Sequence, residues 1–327
     1  MAAEKKSSDA KSSSASKKPL ISTITPCYRM QKYLPLFLEW LPKQTWFDKT
    51  EIVLDHNEPT PEELKQVKDF QAKYPGRIKH IIVNKVDPIG TSMNRCMKEA
   101  TGEFLTIWNV DDLRTDDSLE QQAQILLDNK DVGIVYGDYL LVRKFGTTEG
   151  KRIEHDKIPE EEAKKGMIIG PFFMFRKSLL EKAGYFDEQL VQGADYDLAL
   201  RLAFNAKVAR TKGLLGYYLD EGRGQSTKPD SKQPLERNVI CLRYGVFDRL
   251  DNDNMALIGV YDIPYIVMFG KSHPVTDFVP NYKELIKSRY NETYFTGARK
   301  VKLEGISTLK KVKHGFLRWY NDSDNLK

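Results

Sequence analysis

Two adjacent carboxylates follow an apolar, strand-forming run in the stretch FLTIWNVDD, residues 104–112. A strand of this composition is typical of one buried on both faces of a parallel sheet, so its last residues reach the carboxyl edge, where open α/β folds bind ligands. Asp111 and Asp112, with the amide of Asn109 before them, offer the oxygen ligands that a hard divalent cation prefers, and such a cation can also bind a diphosphate. Alternatively, Asp112 or Asp117 only caps the helix that follows. We expect a Mg²⁺ or Mn²⁺ site here, with Asp111 as the main ligand and Asp112 as a supporting or alternative one.

Strand-like and helix-like runs alternate through the first half of the chain, and these elements would position the carboxylates. Such alternation is typical of a mostly parallel sheet covered by helices. The strands that we expect cover residues 20–25, 51–54, 78–83, 104–108 and 133–136. The helices that we expect cover residues 33–41, 60–74, 91–100, 178–184, 196–204 and 235–250. The predicted fold class is α/β, with one domain over residues 20–230 and a helical C-terminal extension over residues 231–327.

Composition and charge narrow the class of protein. The net charge is +5, but segment 1–19, with five lysines against one Glu and one Asp, contributes +3 of it, so the rest of the chain is close to neutral. A nucleic-acid-binding protein more often concentrates Lys and Arg on its folded domain, so we do not expect nucleic acid as a partner. The polar segment 1–19 cannot bury enough surface to fold, and we predict that it is disordered.

The positions of the cysteines and the hydropathy of the chain favour a reducing, cytoplasmic compartment. Cys27, Cys96 and Cys241 lie far apart in the sequence without metal-ligand spacing, which favours free thiols in a reducing compartment. No apolar run is long enough to span a bilayer and the N-terminus lacks an apolar signal, so we predict a cytoplasmic protein. The basic segment 310–319, which ends in Trp319, could form an amphipathic helix on a membrane surface or pack against the core.

Four separated segments carry a family resemblance. They are TITPCYRMQKYL, EIVLDHNE, the stretch 83–112 with Asn84, Gly90 and Asn94, and GPFFMFRKSLLEKAGYFDEQLVQGADYDLALRLA. In this order they resemble the inverting glycosyltransferases of family 2, which have the Rossmann-like, nucleotide-diphospho-sugar-binding GT-A fold. The match covers about residues 20–226, and it is specific because several spaced motifs agree.

The resemblance implies a nucleotide-sugar donor, UDP-linked by the family's habit, and a divalent cation that stabilises the leaving diphosphate. In the family the position of Asp55 contacts the nucleobase, although strand-end hydrogen bonding is the alternative for Asp55 and Thr25. The family's metal motif is Asp-x-Asp, and Asn109 replaces its first Asp, so we expect weaker metal affinity. The donor-binding residues implied are Thr25, Pro26, Tyr28, Asp55, Asn94, Asn109 and Asp111.

The resemblance also implies a general base, because inversion in one displacement requires a group that accepts the proton of the acceptor hydroxyl. Asp195 occupies the position of that aspartate, and its alternative role is a carboxylate stabilised at a helix N-terminus. Asp197 is expected to pair with Arg201 at i+4, or else to lie on the acceptor side. Three residues of a following loop could contact phosphate, or belong to an ordinary surface loop: Arg223, Gln225 and Ser226.

These residues are compatible with three functions. The first is a metal-dependent inverting glycosyltransferase whose acceptor is a glycan, a lipid-linked group or a protein. The second is a non-catalytic scaffold that binds nucleotide sugars, suggested by Asn109 and by the missing Arg/His pair of the family. The third is a nucleotidyltransferase, which is disfavoured because TPCYRMQKYL has no glycine for a phosphate-binding loop. The sequence favours the first.

Overall fold

A computed structural model gives the structure of the chain and describes residues 18–154, 169–222, 233–246, 265–281 and 284. Several predictions fall outside these ranges: the disorder of nearly the whole N-terminal tail, the amphipathic segment 310–319, and the phosphate contacts of Arg223, Gln225 and Ser226.

The described strands that form the central sheet are β1 (Ile21–Cys27), β2 (Thr50–Asn57), β3 (Ile78–Val83), β4 (Phe104–Ile107), β5 (Leu113–Arg114), β6 (Val132–Val142), β7 (Lys151–Ile153), β8 (Met174–Arg176) and β9 (Lys207–Leu219). Their order is β3-β2-β1-β4-β8-β6-β9-β5, with β7 paired to β6. The pairs from β3 to β4 are parallel, as the alternation predicts. A parallel pair between β6 and β9, together with antiparallel pairs made by β5, β7 and β8, completes the sheet, and the sequence pattern did not indicate these pairs.

The α-helices of the described chain are α1 (Leu34–Trp40), α2 (Pro61–Lys73), α3 (Ile89–Glu99), α4 (Ser118–Asp128), α5 (Leu180–Ala183), α6 (Ala194–Ala203) and α7 (Gln233–Arg243). The predicted capping box is present, because Thr60 Oγ1 accepts the Glu63 N–H and the Glu63 carboxylate accepts the Thr60 N–H. Helix α5 ends at Gly184 with φ of +71°, where an added Cβ would lie 2.7 Å from Cε1 of Phe278. Glycine is therefore required at this turn.

Register places the predicted chemistry at one edge of the sheet. Pro26 of β1 pairs with Asp55 of β2, and Ile24 of β1 pairs with Ile107 of β4. Because these strands are parallel, their carboxyl ends lie side by side. The loop after β4, which contains Asn109 and Asp111, therefore leaves the same edge as Thr25 and Asp55.

The described residues beyond position 230 share a hydrophobic core with the rest of the described chain. One cluster of buried residues includes Met93 of α3, Leu198 of α6, Ile240 of α7 and Ile266. Helix α7 agrees with the predicted helical extension, whereas β10 (Tyr265–Met268) and β11 (Lys271–Pro274) form an antiparallel hairpin. The domain boundary near residue 230 stays a prediction. Across the described ranges, none of the helices has both the length and the apolar character that crossing a membrane requires.

Candidate active site

The turn after β4 is fixed by the carboxylate of Asp112. Its Oδ1 accepts the backbone N–H of Leu219 at 3.1 Å, and its Oδ2 accepts Nδ2 of Asn109 at 3.2 Å. The indole N–H of Trp108 donates to the backbone carbonyl of Asp112 at 3.0 Å. Asp112 is buried and both its oxygens have partners, so the geometry favours the supporting role over direct metal binding.

Asp111 is partly exposed beside this turn, in a crowded acidic environment. Burial raises its pKa, and the carboxylate of Glu221 raises it further. Burial also raises the pKa of Asp112 well above the ordinary range, with a second contribution from the Asp111 carboxylate. Three carboxylates therefore repel one another at this edge, and a divalent cation would offset that repulsion. The residues present fit a Mg²⁺ or Mn²⁺ ion with Asp111 as its ligand.

Arg114 stabilises the same turn from inside the protein. Its guanidinium donates to Oγ1 of Thr106 at 2.6 Å, to Oγ of Ser118 at 2.9 Å and to Oε1 of Gln122 at 3.0 Å. Burial lowers its pKa to about 9, and the Asp112 carboxylate counters part of that shift. Arg114 thus links β4, β5 and α4 around the acidic edge. Sequence analysis missed it because a lone Arg after DDL looks like a surface residue.

Asp55 lies buried at the end of β2, with both oxygens bound by the protein. Nε of Arg95 is 2.5 Å from Oδ2, and Nδ2 of Asn57 donates to Oδ1 at 2.6 Å. Arg95 also reaches Asp87 at 2.7 Å. These contacts match the alternative of strand-end hydrogen bonding, and contact with a nucleobase stays a prediction.

The other predicted donor residues differ in their accessibility. Thr25 is buried, with its Oγ1 3.1 Å from Oγ1 of Thr23, whereas Pro26 and Tyr28 are partly exposed at the same edge. Asn94 is fully buried: its Nδ2 donates to the Phe186 carbonyl at 3.0 Å and to Oε1 of Glu188 at 2.9 Å. These bonds favour a role for Asn94 in fixing residues 186–188 rather than in touching the donor.

Asp195 is exposed on the first turn of α6. Its Oδ1 accepts the backbone N–H of Tyr196 at 2.8 Å. Burial of the carboxyl group among neighbouring protein atoms raises its pKa, although the residue as a whole is exposed, and that hydrogen bond lowers the pKa by less. A raised pKa brings a carboxylate closer to the basicity that proton transfer needs. In the part of the chain that the structure describes, no hydrogen bond or ion pair joins Asp195 to Asp111.

The loop before α6 is fixed by Glu236 of α7. Its carboxylate accepts the backbone N–H groups of Val191 at 3.0 Å, Gln192 at 2.7 Å and Gly193 at 2.8 Å. Glu236 is buried, and charge-assisted hydrogen bonds of this kind are about twice as strong as neutral ones. Helix α7 therefore fixes the loop from which α6 and its second residue, Asp195, begin.

Asp197 points into the protein, as the predicted i+4 pair requires. Its Oδ2 lies 2.7 Å from Nη2 of Arg201, and its Oδ1 accepts from Nη1 of Arg243 at 2.7 Å and from the hydroxyl of Tyr244 at 2.8 Å. Arg243 also donates to Asp187 at 2.8 Å. The expectation that Asp197 could lie on the acceptor side is wrong, because its carboxylate is fully buried and already has these donors.

The two residues after β9, Asp220 and Glu221, form ion pairs and hydrogen bonds near the acidic edge. The carboxylate of Glu221 accepts Nζ of Lys32 at 2.9 Å and the hydroxyl of Tyr33 at 2.9 Å. Asp220 pairs with Arg143 at 2.7 Å. Glu221, whose charge acts on Asp111, therefore connects the predicted metal ligand to the start of α1.

Comparison with known proteins decides the family. The family model for glycosyl transferase family 2 matches residues 22–184, which include the β1, β2 and β4 ends and the acidic turn. The chain belongs to glycosyltransferase family 2. An uncharacterized glycosyltransferase of Methanocaldococcus jannaschii is 27% identical over 194 residues, which are 58% of this chain and 66% of the relative. The chain spans less than two thirds of the first curated relatives that it matches, and less than half of two of them.

Solved structures show the GT-A fold of this family 2 chain. The S. aureus TarS fragment 1-349, solved in complex with UDP-GlcNAc, has a TM-score of 0.57 at 18% identity, covering 91% of this chain and 78% of that one. The mannosyltransferase PcManGT from Pyrobaculum calidifontis, solved with GDP-Man and Mn²⁺, has a TM-score of 0.53 at 15% identity, covering 93% and 84%. The predicted family and fold class are thereby confirmed.

Sequence reasoning missed the charged residues that support the family 2 site from a distance. Arg95, Glu236 and Arg243 each bind a buried carboxylate or a run of backbone N–H groups. Spacing gave no signal for them, since Glu236 and Arg243 lie more than 40 residues after their partners. One weak indication existed: the apolar helix 235–250 contains charged residues that its buried face would have to pair.

Proposed function

We propose that this chain is a metal-dependent inverting glycosyltransferase that transfers a sugar from a nucleotide-diphosphate donor, UDP-linked by the family's habit, to a hydroxyl group of an acceptor. The observation that supports this most directly is the pair of acidic positions within a family 2 fold. Asp111 lies at a carboxylate-rich sheet edge, and Asp195 lies in the first turn of a helix with its pKa raised by burial of the carboxyl group.

Each carboxylate has a distinct role in this proposal. Asp111 would bind a Mn²⁺ or Mg²⁺ ion, with Asn109 and Asp112 fixing the turn, and the ion when bound would neutralise charge on the leaving diphosphate. Asp195 would accept the proton of the acceptor hydroxyl as its oxygen attacks the anomeric carbon. The N–H of Tyr196, 2.8 Å from Asp195, orients the carboxylate for this transfer.

A non-catalytic scaffold is the second candidate, and Asn109 is the observation that favours it. Its amide donates to Asp112 where a family member would supply another carboxylate, so the edge has one negative charge less. A protein that bound nucleotide sugar weakly, with no transfer, would have such an edge. The acceptor class, a cytoplasmic location and contact with a membrane surface stay predictions for either function.

The decisive test compares binding with chemistry in Asp195→Asn. The amide keeps the size of the side chain but cannot accept a proton, so calorimetric affinity for donor and Mn²⁺ should be unchanged. The single-turnover transfer rate should fall about 10²- to 10⁴-fold. Asp117→Asn is the matched control, because Asp117 is an exposed aspartate that precedes α4.

Transfer by Asp195→Asn at the wild-type rate would exclude Asp195 as the base. A wild-type protein that binds UDP-sugars or GDP-sugars with Mn²⁺, yet neither hydrolyses nor transfers them across a broad acceptor panel, would favour the scaffold.

A further inference from the structure

Three metal-ligating side chains meet between the sheet and helix α2. Sγ of Cys27, a ring nitrogen of His56 and a carboxylate oxygen of Glu63 all lie within 4.8 Å of one another, and all three residues are buried. Cys27 and His56 are direct neighbours in the parallel register of β1 and β2. Successive side chains of a strand face opposite sides of the sheet, so this cluster lies on the other side from Asp55, which contacts Arg95 of α3.

The imidazole of His56 has a nitrogen that the protein does not satisfy. Nε2 of His56 is buried without a hydrogen-bond partner, and it lies 3.7 Å from Oε2 of Glu63. A buried polar atom without a partner destabilises the folded protein, so native structures rarely keep one without a reason. A cation bound between Nε2 and the Glu63 carboxylate would supply that partner.

The second nitrogen of His56 has the neighbour that a metal-binding histidine needs. Its Nδ1 lies 3.2 Å from Nε2 of His80. When Nδ1 carries the proton and donates it to His80, the lone pair of Nε2 is free to bind a metal. Metal-ligating histidines almost always donate their other N–H in this way.

Glu63 is likewise oriented by hydrogen bonds that leave it able to bind a cation. Its Oε2 accepts the N–H and the hydroxyl of Thr60 at 2.8 and 2.9 Å, and its Oε1 accepts the N–H of Met30 at 3.1 Å. A carboxylate oxygen can accept two bonds, so Oε2 is fully used and Oε1, which has one lone pair left, is the oxygen that would bind the cation. The capping box of α2 thus fixes the orientation of the Glu63 carboxylate that would bind the cation.

We propose that Cys27, His56 and Glu63 bind one Zn²⁺ ion. Binding forms a Zn–S bond and breaks the S–H bond of Cys27, with the proton released to solvent. The thiolate and the carboxylate then balance the two positive charges, so the buried site is neutral overall. Thiolate and imidazole ligands select Zn²⁺ over Mn²⁺ and Mg²⁺, which separates this site from the oxygen-only edge at Asp111.

The observed spacing requires a modest closure. Zn–S and Zn–N bonds of about 2.3 and 2.1 Å place tetrahedral ligands roughly 3.3–3.6 Å apart, which is about 1.2–1.5 Å less than the present limit of 4.8 Å. Small side-chain rotations supply this closure, since the backbone pairing of β1 and β2 already fixes two of the ligands. A water molecule would complete the fourth position.

The test uses the full chain, stripped of metal by a chelator and then titrated with Co²⁺ and Zn²⁺. We expect one equivalent of Co²⁺ to give a thiolate-to-cobalt charge-transfer band that Zn²⁺ abolishes and Mn²⁺ does not. The Cys27→Ser and His56→Gln variants should each bind Zn²⁺ with an affinity at least 10-fold lower than that of the wild type. Cys96→Ser is the matched control, because Cys96 is equally buried but lies on α3, outside the cluster.

X-ray absorption of the zinc-loaded wild type keeps the test valid if the Cys27 variant does not fold. One sulfur ligand beside nitrogen and oxygen ligands is expected. A spectrum with no sulfur ligand, or a cobalt band that persists in Cys27→Ser, would overturn the proposal. Neither measurement depends on sugar transfer, so the zinc site and the proposed function can fail separately.

Discussion

Glu236 accepts the backbone N–H of Gly193 at 2.8 Å across 43 positions of sequence. Gly193 immediately precedes α6, and the second residue of that helix is Asp195. The carboxylate of Glu236 is thus a positioning group for the proposed base, supplied by a helix beyond the segment that the family model matches.

Replacing Glu236 by Gln should lower kcat while leaving donor binding unchanged. The amide keeps the shape of the side chain but weakens the charge-assisted bonds to Val191, Gln192 and Gly193, so Asp195 loses its fixed position. We expect kcat to fall about tenfold, equivalent to about 1.4 kcal/mol, with the same Kd for the donor. Glu181→Gln, at an exposed position on α5, should leave both constants unchanged. A larger Kd with unaltered kcat would instead assign Glu236 to donor binding.

The transfer rate should depend on pH through Asp195. A base acts in its deprotonated form, so the rate falls as pH drops through its pKa, and the raised pKa of Asp195 moves that fall above the value of about 3.9 for an unperturbed aspartate. The measurement is kcat/KM from neutral to acid pH, beside the residual rate of Asp195→Asn. The limb assigned to Asp195 should be missing from the profile of the variant, and an identical limb in both proteins would belong to another group.

Changing Asn109 to Asp should make stability depend on metal. The variant replaces the N–H that Asn109 donates to Asp112 with a carboxylate beside a carboxylate, so without metal its melting temperature should lie below that of the wild type. Mn²⁺ with UDP should then raise the melting temperature of the variant by more than that of the wild type, because the ion gains a ligand. The shifts in melting temperature are measured by thermal unfolding with and without Mn²⁺ and UDP. Equal shifts in the two proteins would show that residue 109 does not face the cation.

Arg243→Met should strongly destabilise the protein. Asp187 and Asp197 would remain buried with fewer positive partners, and breaking a buried ion pair from one side costs about 3–5 kcal/mol. Arg143→Met removes a surface pair with Asp220 whose arginine is 72% exposed, and it should cost at most about 1 kcal/mol. Urea denaturation of both variants provides the comparison, and equal midpoints would mean that the buried network contributes little.

Periodicity and end signals predicted the parallel strands β1 to β4 and most helices because local sequence determines them. The capping box at Thr60 and Glu63 fixes the start of α2, and the apolar run before Asn109 fixes β4. Strand β9 was missed because its 13 residues mix lysine, arginine and glycine with apolar residues, and its pairing with β6 shifts register. That pairing depends on contacts far apart in the sequence, which local patterns do not encode.

The candidate site likewise has residues that local sequence predicts and contacts that only the folded structure reveals. Asp111 and Asp195 follow recognisable local motifs. Asp55, Asp112 and Asp197 each also have a partner from a distant element, namely Arg95, the Leu219 N–H and Arg243, which local patterns do not reveal. The separation of Cys27 from His56 hid their proximity, which only the register of β1 and β2 reveals.

The buried charge network of Arg243 has a consequence for building hybrid proteins. A graft that replaces everything after residue 230 with the tail of another family 2 enzyme would leave Asp187 and Asp197 facing a foreign helix. It would also remove the carboxylate that accepts the N–H groups of residues 191–193. A working chimera therefore has to take the α6 region and helix α7 together from the same protein, so that the ion pairs and hydrogen bonds between them are kept.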